Sequence, residues 1–147
     1  MNVLAAAAPP RLTIGRIANL ADISANAVRF YEREGLMVVP AKSPSGYRLY
    51  GPDAVERLRF IKHAQRCGFT LGEIQDLLRL RGEASSCCDD VRSKVIEKKL
   101  QLESRIKEMR AMSKQLDSLL ADCGDLTASA RDCTILATLS AVRESGR

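Results

Sequence analysis

Five cysteines stand in this 147-residue chain, and four of them fall in its second half: Cys87 and Cys88 side by side, then Cys123 and Cys133. Thiolates are soft donors, and a group of them selects soft or borderline ions: mercury, cadmium, lead, zinc or monovalent copper. The competing chemistry is redox, with Cys87-Cys88 or Cys123-Cys133 closing a disulfide or holding an iron-sulfur cluster. The compartment bears on this choice. The start, MNVLAAAAPPR, lacks a basic region ahead of its apolar residues, so residues 1–11 are expected to be a disordered tail rather than a signal peptide. No stretch reaches the roughly 18–20 apolar residues of a membrane span. A cytoplasmic, reducing location follows as the expectation, where cysteines are free thiols, metal ligands or redox groups rather than structural disulfides. A thiol enzyme is not expected, because the loop holds no Cys-x-x-Cys, no histidine and no acid-base pair near Cys123. The lone histidine, His63, lies far from the loop in sequence and suits phosphate contact or plain surface exposure.

The element between the cysteines decides which of them can meet. From Asp89 to Ala121 there is neither proline nor glycine, and apolar residues recur with helical spacing. Steps of seven from Cys88 land on Val95, Leu102, Met109, Leu116 and Cys123, with Val91, Ile106, Met112, Leu119 and Leu120 broadening the stripe. This is a coiled-coil seam. A straight helix would hold Cys88 and Cys123 roughly 50 Å apart at about 1.5 Å per residue, so they cannot share an ion within one chain. Two antiparallel copies solve this. When they are centred between Arg105 and Ile106, Cys88 falls opposite Cys123, Val95 opposite Leu116 and Leu102 opposite Met109, each pair summing to 211. Such a seam is self-complementary under a two-fold axis. Gly124 stops the helix, and GDLTASARD makes a loop returning Cys133 toward Cys123. TILATLSAV then reads as a short apolar helix pinning the loop. The predicted metal ligands are therefore Cys123 and Cys133 of one chain with Cys88 of the other. Cys87 is left as a fourth ligand or a neighbour on the wrong face of the helix start. Three thiolates carry a negative charge that a divalent ion balances better than a monovalent one. Cys67, in an apolar-patterned helix, is expected to be a buried structural thiol.

The charge is uneven. Residues 1–82 hold 12 Lys/Arg and 7 Asp/Glu, whereas residues 83–147 hold 11 of each. A basic front on a neutral rear suits binding of a polyanion, or simply a solvated surface. Thr13 can cap a helix bearing Ile14, Ile17, Ala18 and Ala21, and Asp22-Ile23 breaks it. Ser24 caps a second helix with Val28 inward and Arg29, Tyr31 and Arg33 outside. Two short helices about a tight turn make a helix-turn-helix pattern. Pro40 to Gly46 is turn-rich and GYRLY alternates like a strand, giving a small wing whose Lys42, Tyr47 and Arg48 could reach phosphates. Pro52 opens a third helix with Val55, Leu58, Ile61 and Ala64 inward and Gly68 at its end. Thr70 with Glu73 makes a capping box for a fourth. Phe30, Phe60 and Phe69 are expected in the core.

TIGRIANLADISANAVRFYEREGL and SPSGYRLYGPDAVERLRFIKHAQRCGFTLGEI together resemble the DNA-binding domain of the MerR family of bacterial transcription regulators over residues 12 to about 80. The resemblance implies a winged helix-turn-helix and a homodimer on a pseudo-palindromic operator between promoter elements. By matching position it implies DNA contact by Arg29 and Tyr31 of the recognition helix and by Tyr47 and Arg48 of the wing. It further implies that a bound ion leads to twisting and bending of badly phased promoter DNA so that RNA polymerase can engage it. Divalent-ion sensors of the family carry cysteine at the position matching Cys88, whereas copper-type sensors usually carry serine. Zinc-responsive members add a cysteine and a histidine within the loop, which this chain lacks. Mercury-responsive members have a loop one residue shorter. The resemblance thus favours mercury, cadmium or lead over zinc.

The expected architecture is mainly α, with no membrane segment. Residues 1–11 form the tail and 12–82 the winged helix-turn-helix domain. Residues 86–121 form an antiparallel dimerisation helix, and 122–147 the metal-binding loop and a short helix. The expected function is a metal-responsive transcriptional activator of heavy-metal resistance or efflux genes, with a thiol-based redox-sensing regulator of the same fold as the alternative.

Overall fold

A computed structural model describes residues 11–141; most of the expected tail, and the last six residues, lie outside the described residues. The described residues fold into α1 (Ile14–Ala21), α2 (Ala25–Arg33), α3 (Pro52–Arg66), α4 (Leu71–Gly82), α5 (Cys88–Ala121) and α6 (Thr134–Ala141), with a 3-10 turn at Ala130–Asp132. They divide between Val95 and Ile96, inside α5, into two compact units. The mainly helical winged helix-turn-helix class expected from sequence is the one observed.

In the first unit the helices begin where local chemistry starts them. The Thr13 hydroxyl accepts from the Arg16 N–H at 3.3 Å and that of Ser24 from the Ala27 N–H at 3.0 Å. At α4, Thr70 accepts from the Glu73 N–H at 3.3 Å while the Glu73 carboxylate accepts from the Thr70 N–H at 2.8 Å. Each bond satisfies a donor that the first helical turn leaves unpaired. α1 stops at Asp22, whose φ of 55° is left-handed. Here a short polar side chain tolerates what a branched one would not. α3 stops at Gly68, with φ of 89°, a conformation that glycine adopts without steric cost.

The core collects the apolar faces these helices share. Ile17, Val28, Leu36, Leu58, Ile61 and Ile74 are essentially fully buried. α1 packs on α2 and α3, and α3 on α4. The basic face of α3 serves the same packing. Arg59 Nη2 donates to the Leu20 carbonyl at 2.9 Å, and Lys62 Nζ donates to the Asp22 carbonyl at 2.7 Å and its carboxylate at 2.8 Å. Arg57 Nε donates to the Leu36 carbonyl at 2.6 Å. Cations at the open carbonyl end of α1 complement its dipole and satisfy its orphan acceptors. The Lys62 ammonium in turn holds the Asp22 carboxyl below its ordinary range, by hydrogen bond and charge.

Three expectations are corrected here. GYRLY forms no strand: it is held by two single bridges, Lys42 to Arg48 and Leu12 to Tyr50. Pro40 and Pro44 remove donors that a ladder would need, and the segment changes partner after one pair. The turn itself is as expected, with the Gly46 N–H donating to the Ser43 carbonyl at 2.8 Å. Phe30 is on the surface, 38% exposed, although Phe60 and Phe69 do pack against the core. Cys67 is exposed rather than buried. It borders a groove of about 460 Å³ lined by Phe60, His63, Phe69, Leu77 and Val91.

In the second unit, α5 continues from Ile96 to Ala121 without a break. Leu102, Ile106, Met109, Met112, Leu116 and Leu120 stand exposed along it. An amphipathic helix gains most of its stability from packing its apolar face, and among the described residues that face is left open. The loop after Ala121 turns through the 3-10 segment into α6, which packs on it.

Candidate DNA-binding surface and candidate metal centre

The turn between α1 and α2 presents the outer face of α2 beside the wing. Arg29 is exposed, and its Nη1 donates to Asn26 Oδ1 at 3.0 Å, one helical turn back. Lys42 and Arg48 are exposed on the wing, and Tyr47 is 66% exposed. These four side chains, with Thr13 and Ile14 at the start of α1, line one concavity of about 300 Å³. A second, of about 350 Å³, lies between Arg29, Glu32, Arg33 and Arg48. Arginine and lysine around a helix start, with an exposed phenol beside them, form a surface matched to phosphate oxygens. Of the five residues expected to meet DNA, the structure brings Arg29, Lys42, Tyr47 and Arg48 together on it.

Tyr31 is the exception, and the expectation that it stands outside is corrected. Its side chain is 7% exposed and lies in the core. Its hydroxyl donates to Gln65 Oε1 on α3 at 2.6 Å, and burial pushes the phenol above its usual pKa. Val28 and Tyr31 lie three residues apart and therefore share a helix face. The face that buries Val28 takes Tyr31 with it.

A buried network was not legible from the sequence. The Tyr50 hydroxyl donates to Glu32 Oε1, and Arg48 Nη1 lies 3.8 Å from Glu32 Oε2. The Glu32 side chain is only 5% exposed. Burial, then the bond to Glu32, pushes the Tyr50 phenol up to about 12. No local pattern marks Glu32 or the capping role of Lys62, because their partners are 16 to 41 residues away.

The thiols fall on both units. Cys88 opens α5 and is exposed, as is Cys87. The Cys87 N–H donates to Asp90 Oδ2 at 2.7 Å, and this bond holds the Asp90 carboxyl below its ordinary range. Cys123 and Cys133 are half-buried at the two ends of the loop. That loop is closed. The hydroxyl of Thr134, next to Cys133, donates to the carbonyl of Asp122, next to Cys123, at 3.2 Å. Inside it, Asp125 Oδ1 accepts from the Thr127 N–H at 2.9 Å and its hydroxyl at 2.7 Å, and Ser129 donates to Asp132 at 2.8 Å. The Asp125 carboxylate turns the backbone by accepting from the N–H two residues on. Among the described residues of one chain, no three His, Cys, Asp or Glu side chains come together as a metal-binding group. No helix among them is long and apolar enough to cross a membrane.

Comparison with known proteins adds to this geometry. A family model described as MerR HTH family regulatory protein matches residues 12–80, and one described as MerR, DNA binding matches 55–119. An uncharacterized HTH-type transcriptional regulator from Synechocystis is 40% identical over 112 residues, covering 76% of this chain and 82% of the relative. A mercuric resistance operon regulatory protein from Pseudomonas fluorescens is 38% identical over 112 residues, 76% of each chain. Among solved structures, a transcription regulator from Ralstonia metallidurans in complex with lead(II) is similar at 36% identity. Its TM-score is 0.79, with 87% of this chain and 98% of that chain covered.

Proposed function

The chain belongs to the MerR family of helix-turn-helix DNA-binding transcription regulators, and on that premise we propose that it is a homodimeric regulator responding to a divalent thiophilic ion. Arg29, Lys42, Tyr47 and Arg48 grip the phosphates of a pseudo-palindromic promoter operator. Cys123 and Cys133 would hold the ion together with Cys88 of the partner subunit, and Cys87 stands beside them as a candidate fourth ligand. The donor set fits such an ion. Thiolates are soft, and the loop carrying two of them is already closed by the Thr134 to Asp122 bond. Mercury, cadmium and lead rank ahead of zinc because the loop lacks the added cysteine and histidine that the resemblance associates with zinc. A bound ion supplies a cross-link between protomers. Its effect on transcription can come only from different affinities for two arrangements of the dimer. The activating arrangement distorts promoter DNA, and protein contacts offset the deformation energy, so that RNA polymerase engages heavy-metal resistance or efflux genes.

The observation that carries this reading is the exposed stripe of α5, whose seven-residue spacing would pair Cys88 with Cys123 across a two-fold axis. The test is titration of the reduced protein with mercury, cadmium, lead and zinc, followed through the thiolate-to-metal charge-transfer band. Cys88→Ser should abolish binding. Mixed dimers of Cys88→Ser with Cys123→Ser should regain one site of two. Undiminished binding by Cys88→Ser would place the site within one chain or on Cys87.

A further inference from the structure

We propose that Glu32 is a positioning residue for DNA binding, holding the wing's Arg48 at a set place beside the recognition helix. The inference rests on the reading of Arg48 as a phosphate contact.

Glu32 is anomalous where it stands. Its carboxylate is nearly excluded from water, which is unfavourable for a charge. It also lies among Arg29, Arg33 and Arg48, on a surface meant to receive phosphates that it repels. An apolar side chain would avoid both costs. What Glu32 provides, and an apolar residue would not, is a fixed point for two wing residues. Oε1 accepts from Tyr50, which is buried and paired through its backbone to Leu12 at 2.7 and 2.8 Å. Oε2 faces Arg48 Nη1 at 3.8 Å. Tyr50 thus anchors the carboxylate, and the carboxylate restrains a guanidinium that remains 44% exposed. The wing needs such a restraint. Its backbone pairs through isolated bridges, Lys42 to Arg48 and Leu12 to Tyr50, rather than through a continuous ladder, and arginine has several rotatable bonds. An arginine already oriented loses less freedom when it meets a phosphate.

Charge and position make opposite forecasts for Glu32→Gln. If Glu32 acts only as a negative charge near DNA, its removal tightens binding. If it positions Arg48, its removal weakens binding. The probe is a duplex selected by the wild-type protein from a random-sequence pool, with affinity measured by fluorescence anisotropy across a salt series. Arg48→Ala should lower the slope of log affinity against log salt by about one, the value for one lost phosphate contact. Glu32→Gln should lower affinity roughly five- to tenfold and reduce the slope by a comparable amount. The double variant should be no worse than Arg48→Ala alone. A purely structural role would reduce the folded fraction, seen by circular dichroism, without changing the slope. Tighter or unchanged binding by Glu32→Gln, or weaker binding at an unchanged slope, overturns the proposal while leaving the DNA surface intact. If Arg48→Ala itself changes neither quantity, the DNA-surface reading fails and the proposal with it. Should Glu32→Gln not fold, Tyr50→Phe keeps the buried ring and removes only the bond to Glu32. A several-fold loss of affinity then supports the proposal, and none overturns it.

Discussion

Replacing Leu116 by alanine should weaken the dimer about a hundredfold. Leu116 is 59% exposed in the single chain, and the proposed antiparallel register sets it opposite Val95 of the partner subunit. The change removes three carbons, each contributing about 0.8 kcal/mol when buried. Scaled by the surface still open to burial, that is about 1.4 kcal/mol per chain, from the 59% exposure. A two-fold dimer carries the substitution twice, so the loss is about 2.8 kcal/mol, or two factors of ten in the dissociation constant. Sedimentation equilibrium of the reduced, metal-free protein at several concentrations measures it. The control is Leu100→Ala. Leu100 is just as exposed, at 61%, but it lies on the opposite face of α5 from the seven-residue series. It should leave the constant within about twofold, as an uninvolved surface position does. Val95→Ala should combine non-additively with Leu116→Ala, because the two then share one contact. The antiparallel register is refuted if Leu100→Ala weakens the dimer as much as Leu116→Ala, or if Leu116→Ala has no effect.

Arg57→Met should destabilise the first unit by about 2 kcal/mol in urea unfolding, since the half-buried Arg57 donates to the carbonyl of buried Leu36. Thr70→Ala should cost about 1 kcal/mol by the same measurement, through loss of the α4 capping box. Stability should also fall as the pH rises from 10 to about 12, because Tyr50 in the fold resists ionisation that the unfolded chain accepts near the ordinary phenol value of 10.0. That contribution is fully present below pH 10. Urea midpoints against pH should show the fall, and Tyr50→Phe should remove its share.

Interactions closed within a few residues were legible in advance. Thr13, Ser24 and the Thr70–Glu73 pair cap the helices they were expected to cap, because a cap needs only a side chain and a backbone N–H two or three positions on. The inward face of α3, from Val55 to Ala64, followed from periodicity over four turns. In α2 the three-residue spacing from the inward Val28 marks Tyr31 as inward and Phe30 as outward; only the phenol's suitability as a phosphate contact points Tyr31 the other way. The wing's strand failed because pairing partners are chosen by the rest of the fold and not by alternation.

The sequence by itself determined the helices, their caps, the uneven charge and the seven-residue spacing that runs from Cys88 to Cys123, all of which depend on local geometry or regular repeats. Tertiary structure alone decided that Tyr31 is buried against Gln65, that Lys62 and Arg59 cap α1, and that Glu32 lies beneath Arg48. Each of these joins residues 16 to 40 positions apart, and only packing of a shared core brings such partners within reach.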